Sequence, residues 1–342
     1  MTERSDAEVL LAHALDVADL SPLADRPVGG VAVLIPCRDE ATTVGRVVRD
    51  FRAALPGAAI YVYDNGSGDE TALRARAAGA VVRRVATPGK GNVVRRMLAD
   101  VDAAVYVLVD GDDTYDAGAA PAMVDRLLTD NLDMVVGSRI DVGPSSGSYR
   151  RGHRAGNRLL SRFVAWLFGG GSADMLSGYR VMSRRFTKSF PAFSSGFEVE
   201  TEMTVHALDL SLPFSEVPTA YRARPADSSS KLRTVTDGVR IVRLIFALCR
   251  DYRPLRFFGT IAAAASLGAV VCAFLGHGYL HAWTPATFGL VGCMAVVAVA
   301  TTAGVILDSL RRGRRELKRM MYLALPTQPA ASSDACLDLR TG

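Results

Sequence analysis

From Phe257 to Leu307 the chain runs for 51 residues without a single Lys, Arg, Asp or Glu. A run of that length divides most simply into two spans, near Phe257–Leu275 and Thr287–Leu307, each about the 20 residues needed to cross a bilayer, with "GHGYLHAWTPA" turning between them. A buried soluble hairpin would share the composition, but uncharged stretches this long are rare outside membranes. Arg250, Arg253 and Arg256 precede the first span; Arg311, Arg312, Arg314, Arg315, Lys318 and Arg319 follow the second. By the positive-inside rule both flanks are cytoplasmic. The opening "MTERSDAEVLLAHALDVADL" has acidic residues and no long apolar core, which argues against a signal peptide. The expected organisation is an N-terminal helical extension over 1–27, a cytoplasmic α/β domain over 28–235, an amphipathic interfacial helix over 236–256, a membrane hairpin over 257–310 and a basic cytoplasmic tail over 311–342. That describes a multi-pass inner-membrane protein with both termini in the cytoplasm.

The formal charge is only +5, but basic residues concentrate from Arg222 onward while residues 1–26 are acidic. The excess is placed to face anionic lipid, and with no RNA-binding signature and no solenoid-period repeat, nucleic acid is not an expected partner. Cys37, Cys249, Cys272, Cys293 and Cys336 show no metal-type pairing, and two of them fall within the spans; they point to a reducing compartment. A homo-oligomer is compatible with all of this. The stretch "TDGVRIVRLIFALCRDYRPLRFF" mixes apolar residues with Arg240, Arg243, Arg250 and Arg253, the pattern of a helix lying in the membrane interface, although a core helix closing the domain would share it.

Before the spans, apolar runs alternate with helical patterns: "VAVLIP" then "TTVGRVVRDFRAAL", "AIYVYD" then "ETALRARAAG", "AVVRRV" then "GNVVRRMLADV", "AVYVLVD" then "AAPAMVDRLL". This is a βαβ series building a mostly parallel sheet. Ligands of such open sheets bind beyond the carboxyl ends of the strands, which here read "PCRDE", "DNGSGDE", "TPGKGN" and "DGDD".

The last of these gathers Asp110, Asp112, Asp113 and Asp116. Two carboxylates about 4 Å apart repel by roughly 4 kcal/mol at an effective dielectric near 20, so a fold that collects them usually supplies a cation, and an all-oxygen cluster suits Mg²⁺ or Mn²⁺. A solvated acidic turn is the bland alternative, and Asp116 reads best as a helix cap. "YDNGSGDET" offers Asp64 and Asn65 for hydrogen bonds to a nucleobase or ribose, though a plain Asx turn would look similar. "PGKGN" offers backbone N–H groups at a helix start and Lys90 for phosphate oxygens, and a solvated turn would look the same.

In this order, "VLIPCRDEATTVGRVV", "YDNGSGDET", "GKGN", "VDGDDTYD", "GSR" (137–139), "DMLSGYRVMSRR", "GFEVETEM" and "YRARPADSSSKL" resemble glycosyltransferase family 2, in the branch of dolichyl- and polyprenyl-phosphate sugar synthases. The resemblance covers about residues 30–256, and a membrane hairpin follows in that branch too. It implies a GT-A nucleotide-sugar fold, Rossmann-like, and an inverting glycosyltransferase that moves a sugar from a UDP- or GDP-linked donor to a polyprenyl phosphate. It further implies a divalent metal at Asp110 and Asp112, with Gly111 between them, and Pro36, Arg38, Glu40, Asp64, Asn65 and Ser67 around the nucleoside, with Lys90 near the donor phosphates. The chain departs from the usual "DDGS": Asn65 stands where a carboxylate is more common.

Arg139, Arg158, Arg180, Arg224 and Lys231 lie among apolar or small neighbours, and guanidinium groups suit a phosphate held in bidentate fashion. They are the expected acceptor-phosphate residues, with Arg180 and Arg224 joining Asp110 and Asp112 as the catalytic set; for Arg158 a surface arginine is the simpler reading. Asp174 either holds the arginine of "SGYR" or contacts the sugar, and Glu198, Glu200 and Glu202 either pair with arginines or do the same. A rival reading takes "VLVDGDDT" as the motif of a haloacid-dehalogenase-type phosphatase with Asp110 as nucleophile, but no further acidic metal ligands of that pattern follow Asp113. A glycosyltransferase acting on another lipid or glycan acceptor is the remaining alternative.

Overall fold

β1 (Val31–Cys37) is buried along its whole length. Its near-continuous apolar run, with no polar face, is what a strand covered on both sides requires. The computed structural model describes residues 30–141, 151–171, 174–196, 198–222, 234–276 and 285–326, so the expected 1–27 extension lies outside the described residues.

The first half follows the expected alternation. β1 leads to α1 (Val44–Ala54), β2 (Ala59–Asp64) to α2 (Thr71–Ala77), β3 (Val81–Arg84) to α3 (Lys90–Asp100), and β4 (Val105–Leu108), through a 3₁₀ turn at Ala117–Ala119, to α4 (Ala120–Thr129). Then come β5 (Met134–Asp141), α5 (Arg151–Phe168), β6 (Arg180–Ser183), α6 (Arg184–Ser189), α7 (Val199–Leu210) and β7 (Phe214–Tyr221). The seven strands form one sheet in the order β3-β2-β1-β4-β6-β5-β7. Parallel pairing links β1 with β2 and β4, β2 with β3, and β5 with β7, while β6 runs antiparallel between β4 and β5. The strand period of two divides the core cleanly. Val31, Val33 and Ile35 face a cluster with Val48 and Phe51 of α1 and Met123 of α4. Ala32 and Leu34 face the opposite cluster with Val94 and Met97 of α3, Phe186 of α6 and Met203 of α7.

A third cluster packs Leu160, Val164 and Leu167 of α5 against Val205 of α7 and Leu248 of α8 (Thr234–Tyr252). The helix breaks at Arg253, and Pro254, suited to a first helical turn, opens α9 (Pro254–Gly276), which packs against α10 (Pro285–Leu323). Both are long and apolar enough to cross a membrane, and they expose Phe274, Leu275, Val291 and Val299, as a hairpin meant for lipid would.

The end of α10 departs from expectation. The residues read as a basic tail from 311 continue the helix for 39 residues in all, about 58 Å at 1.5 Å per residue, about twice the thickness of a hydrocarbon core of about 30 Å. Nor does that basic run simply face lipid. Arg311 and Lys318 lie 3.7 and 3.9 Å from the two carboxylate oxygens of Asp209 at the end of α7. Tyr322 donates to Asp133 at 2.8 Å, and Arg185 of α6 donates to the Leu325 carbonyl at 3.0 Å. The buried charge of Asp209 explains the docking: desolvated and alone it would be costly, and the basic face of α10 supplies its counter-ions.

Candidate active site at the strand ends

The turns after β1, β2 and β4 are knitted to one another. Asp39 accepts from the Gly68 amide at 2.9 Å, and its own amide donates to Ser67 Oγ at 2.9 Å. The Glu40 amide donates to Thr71 Oγ1 at 2.8 Å, and the Thr43 hydroxyl donates to the Gly111 carbonyl at 2.7 Å. Gly111 is there because nothing larger fits: a Cβ at this position would lie 2.4 Å from both Cys37 Sγ and Glu40 Oε2. Burial, reinforced by Glu40, raises the Cys37 thiol well above its ordinary range, so it serves as inert packing under the turn. Of the residues expected around the nucleoside, Pro36, Glu40, Asp64, Asn65 and Ser67 gather here, with Arg38 exposed at the rim.

Asn65 has a specific structural task. Its amide nitrogen donates to the Val85 and Thr87 carbonyls at 2.9 and 2.8 Å, and its oxygen accepts from the Gly89 amide at 2.8 Å. An aspartate could not donate to those carbonyls. The departure from "DDGS" is thereby explained as a clip between β2 and the "PGKGN" loop. That loop is not an open nest of amides. Gly89 binds Asn65, the Gly91 amide donates to the Ser195 carbonyl at 3.1 Å, and Cβ atoms at Gly89 and Gly91 would strike the carbonyl oxygens of Ser195 and Ser194. The two glycines admit the 194–195 chain, and Glu202 fixes that chain by accepting from the Phe193 and Ser194 amides at 2.9 Å each.

Lys90 is the centre of the charged cluster. Its ammonium lies 2.5 Å from Asp110 Oδ1 and 2.5 Å from Glu200 Oε1. Burial pulls its pKa down, but the two carboxylates outweigh that and hold it above the usual lysine range. Glu200 is raised, by burial first, with Lys90 opposing and Asp110 adding to the effect. Three charges thus sum to one net negative charge. Gly178 of "LSGYR" lies against the other face of Asp110, where a Cβ would fall 2.5 Å from Oδ2. The Gly178 amide donates to the Tyr115 hydroxyl at 2.9 Å. Asp112 accepts from the Thr114 amide and hydroxyl at 3.2 and 2.5 Å through one oxygen, Asp113 pairs with Arg46 at 3.1 Å, and Asp116 caps the following turn through the Gly118 amide.

The donor set fits a small divalent cation. Asp110 and Asp112 are hard oxygen donors, and Mg²⁺ or Mn²⁺ commonly takes one or two carboxylates and completes its shell with water and substrate phosphate. No group of three or more His, Cys, Asp or Glu side chains suited to a metal occurs among the described residues, so a substrate would have to contribute ligands.

Of the expected acceptor residues, the structure gathers fewer. Arg180 is fully buried. It donates to the carbonyls of Ser177 and Met175 at 3.0 Å each and to Thr204 Oγ1 at 2.9 Å, and burial lowers its pKa to about 10. It therefore cannot present a fork to a phosphate in this structure: β6 is an interior strand, and its first side chain points into the core. Asp174 holds a different arginine, Arg139, accepting from its Nε at 2.7 Å and its Nη2 at 2.6 Å, and the Arg139 guanidinium sits 5.5 Å over the Tyr221 ring. Arg158 is exposed on α5, as a surface arginine would be. Arg224 and Lys231 lie outside the described residues, although the chain leaves β7 beside the acidic turn, where the Arg222 amide donates to the Thr114 carbonyl at 2.8 Å. What sequence reasoning left open was the partner of Glu200. One of three alternating glutamates at the start of a helix gives no sign of it, since Lys90 arrives from α3, remote in the sequence.

The family model described as "Glycosyl transferase family 2" matches residues 32–189. Protein RfbJ of Shigella flexneri is 53% identical over 124 residues, 36% of this chain and 95% of that protein. Glycosyltransferase AglJ of Haloferax volcanii is 34% identical over 278 residues, 81% of this chain and 88% of that protein. A dolichyl-phosphate hexose transferase of the same archaeon is 29% identical over 223 residues, 65% of this chain and 95% of that protein. Among solved structures, Mycobacterium tuberculosis glucosyl-3-phosphoglycerate synthase superposes with a TM-score of 0.51 at 25% identity, covering 69% of this chain and 83% of its own.

Proposed function

The chain belongs to glycosyl transferase family 2, and we propose that it transfers a sugar, with inversion, from a nucleotide sugar to a polyprenyl phosphate at the cytoplasmic face of a membrane. The observation that carries this reading is the position of α7. Its first turn brings Glu200 to Lys90 and Asp110, and its last turn holds α10 through Asp209. One helix of 12 residues therefore joins the acidic cluster to the candidate membrane hairpin. A lipid acceptor could keep its chain in the bilayer and bring its head to the strand ends. The named activity of the dolichyl-phosphate hexose transferase relative agrees with this, whereas the glucosyl-3-phosphoglycerate synthase shares the fold with a small-molecule acceptor in its name.

The chemistry follows from charge. When the anomeric C–O bond breaks, the leaving nucleoside diphosphate gains negative charge. A divalent metal held by Asp110 and Asp112 would neutralise the diphosphate oxygens. Lys90, fixed between Asp110 and Glu200, adds a charge that is already oriented and needs no reorganisation. A phosphate monoester with a second pKa near 6 is largely ionised at neutral pH, so the acceptor needs little help from a base, and alignment becomes the protein's main contribution. We assign that alignment to Arg139, whose plane Asp174 and Tyr221 fix, and to Arg224 and Lys231. Direct attack on an α-linked donor gives a β-linked lipid product.

The test is a panel of UDP- and GDP-sugars with the purified full-length protein in detergent, offering undecaprenyl phosphate or 3-phosphoglycerate and following nucleotide release. Metal-dependent release with undecaprenyl phosphate alone is expected; release only with phosphoglycerate overturns the acceptor.

A further inference from the structure

β3 ends the sheet, paired with β2, and a cavity of about 570 Å³ opens between it and the outer face of α3. Small-molecule pockets occupy about 300–1,000 Å³. The cavity extends from Thr87, just before α3, to Ala99 and Asp100 at the helix's far end, so it runs down the side of the domain, away from the acidic cluster at the strand ends. Asn92, Arg95, Arg96 and Ala99, spaced as one stripe of a helix, line it from α3, and Arg83 lines it from β3.

Charge is unbalanced in this groove. Asp100 accepts through a single oxygen, Oδ2, from Arg83 Nη1 at 3.0 Å, Arg96 Nε at 2.8 Å and the Tyr63 hydroxyl at 3.2 Å. Two guanidiniums thus converge on one carboxylate, and Arg95 adds a third, held by the Ala192 carbonyl at 3.0 Å and by the Asn92 side chain. Three positive charges stand against one negative charge. The Arg83 side chain is 23% exposed, so water screens it poorly, and cations gathered in a half-closed groove favour a counter-ion for the same reason that clustered carboxylates do. The guanidinium N–H groups that Asp100 does not occupy suit the paired oxygens of a phosphate. At the upper end, Val85 and Thr87 line the groove and give their carbonyls to Asn65, so an occupant would meet the loop that carries Lys90 from behind.

We propose that the groove between β3 and α3 is a second anion site, separate from the donor site, that takes a small phosphate-bearing molecule through Arg83, Arg95 and Arg96. It goes beyond the transfer reaction and does not depend on the identity of the acceptor.

The probe is inorganic pyrophosphate, titrated by calorimetry into the full-length protein in detergent and EDTA at constant ionic strength. EDTA removes the metal through which Asp110 and Asp112 would hold a diphosphate. Saturable binding is expected, and it should persist in Lys90→Met with Glu200→Gln, which disables the donor-side cation. Arg83→Gln and Arg96→Gln, each of which leaves one arginine on Asp100, should weaken it on the order of tenfold. Arg96 is 64% exposed, so its replacement spares the fold and keeps the comparison valid. Metal-dependent UDP binding by the Gln variants should match wild type, which separates a failure here from a failure of the donor reading. Displacement of pyrophosphate by UDP in EDTA would identify the occupant as a nucleotide, and resistance to UDP would identify a smaller phosphate; the site stands in both cases. Absence of saturable binding overturns the proposal. Binding that ignores both Gln variants and vanishes in Lys90→Met with Glu200→Gln overturns it as well, by placing the anion in the donor site.

Discussion

Lys90 and Glu200 meet at 2.5 Å, and each is almost closed to solvent, with side chains 11% and 4% exposed. Removing one partner of such a pair leaves the other charge buried. Lys90→Met should destabilise the protein by about 3–5 kcal/mol, and Lys90→Met with Glu200→Gln should recover much of that loss while sugar transfer stays low in both. Thermal unfolding in detergent, read beside nucleotide release, checks the pair. A loss in the double variant equal to the sum of the losses in Lys90→Met and Glu200→Gln alone would show that the pair carries no coupling.

Asp112→Asn keeps an oxygen for the Thr114 amide and hydroxyl and removes one anionic metal ligand. Folding should be intact and transfer should fall on the order of 100-fold, the scale seen when a preorganised transition-state contact is lost. Wild-type turnover by this variant at limiting Mn²⁺ would refute the metal assignment.

Asn65→Asp should loosen the joint between β2 and the loop before α3. Two carbonyls, those of Val85 and Thr87, lose their donor and a carboxylate faces them instead, at about 1–3 kcal/mol or more. A drop in Tm of roughly 2–4 °C per kcal/mol is expected, together with weaker nucleotide binding by calorimetry. Gain of tighter binding would mean that Asn65 addresses the base directly.

Arg180 and Arg224 should now separate. Arg180→Ala strips the donors from the Ser177 and Met175 carbonyls, so it should lower Tm and leave the Michaelis constant of the folded enzyme for lipid phosphate unchanged. Arg224→Ala should do the reverse. A raised lipid constant in a fully stable Arg180→Ala protein would place that guanidinium at the acceptor after all.

His206 supplies a pH dependence. Burial, with the Lys318 charge adding to it, pushes its pKa down to about 3 from an ordinary 6.5. Between those values the unfolded chain binds a proton that the folded chain refuses, so stability rises with pH across the window: it is complete above about 6.5 and is lost as pH falls toward 3. The contribution is about 1.4 kcal/mol per pH unit. The difference in unfolding free energy between wild type and His206→Gln, followed from pH 7 to pH 4, should shrink on acidification; a constant difference would contradict the linkage.

How much of this was legible in the sequence depends on how local each signal is. β1, β2 and β4 were readable because each is a short apolar run that gives way abruptly to polar residues at the turn, "CRDE", "DNGS" and "DGDD", and Asp110 and Asp112 stood out on the same ground. β6 was not, because "RVMS" is four residues long and begins with an arginine, a residue rarely found fully buried. "LSGYR" was recognisable as a motif, yet the reason it approaches Asp110 is the bare backbone of Gly178, and the sequence drew attention to its charged neighbour instead. The basic run after Leu307 looked like a lipid-facing tail since its counter-charge, Asp209, lies on another helix far upstream. Asn65 was visible only as a departure, and its reason needed the positions of two carbonyls.

The unbroken passage of α10 from the candidate span into the domain fixes a rotational phase. Each residue added to an α-helix turns the next by about 100° and lifts it by about 1.5 Å. Arg311, Lys318 and Tyr322 meet Asp209 and Asp133 only at one setting of that screw. A single inserted residue after Leu307 would swing all three away from their partners, while seven inserted residues, close to two full turns, would restore their heading and raise them by about 10 Å. The length of this helix between the candidate span and Arg311 therefore decides whether the hairpin and α7 can dock at all.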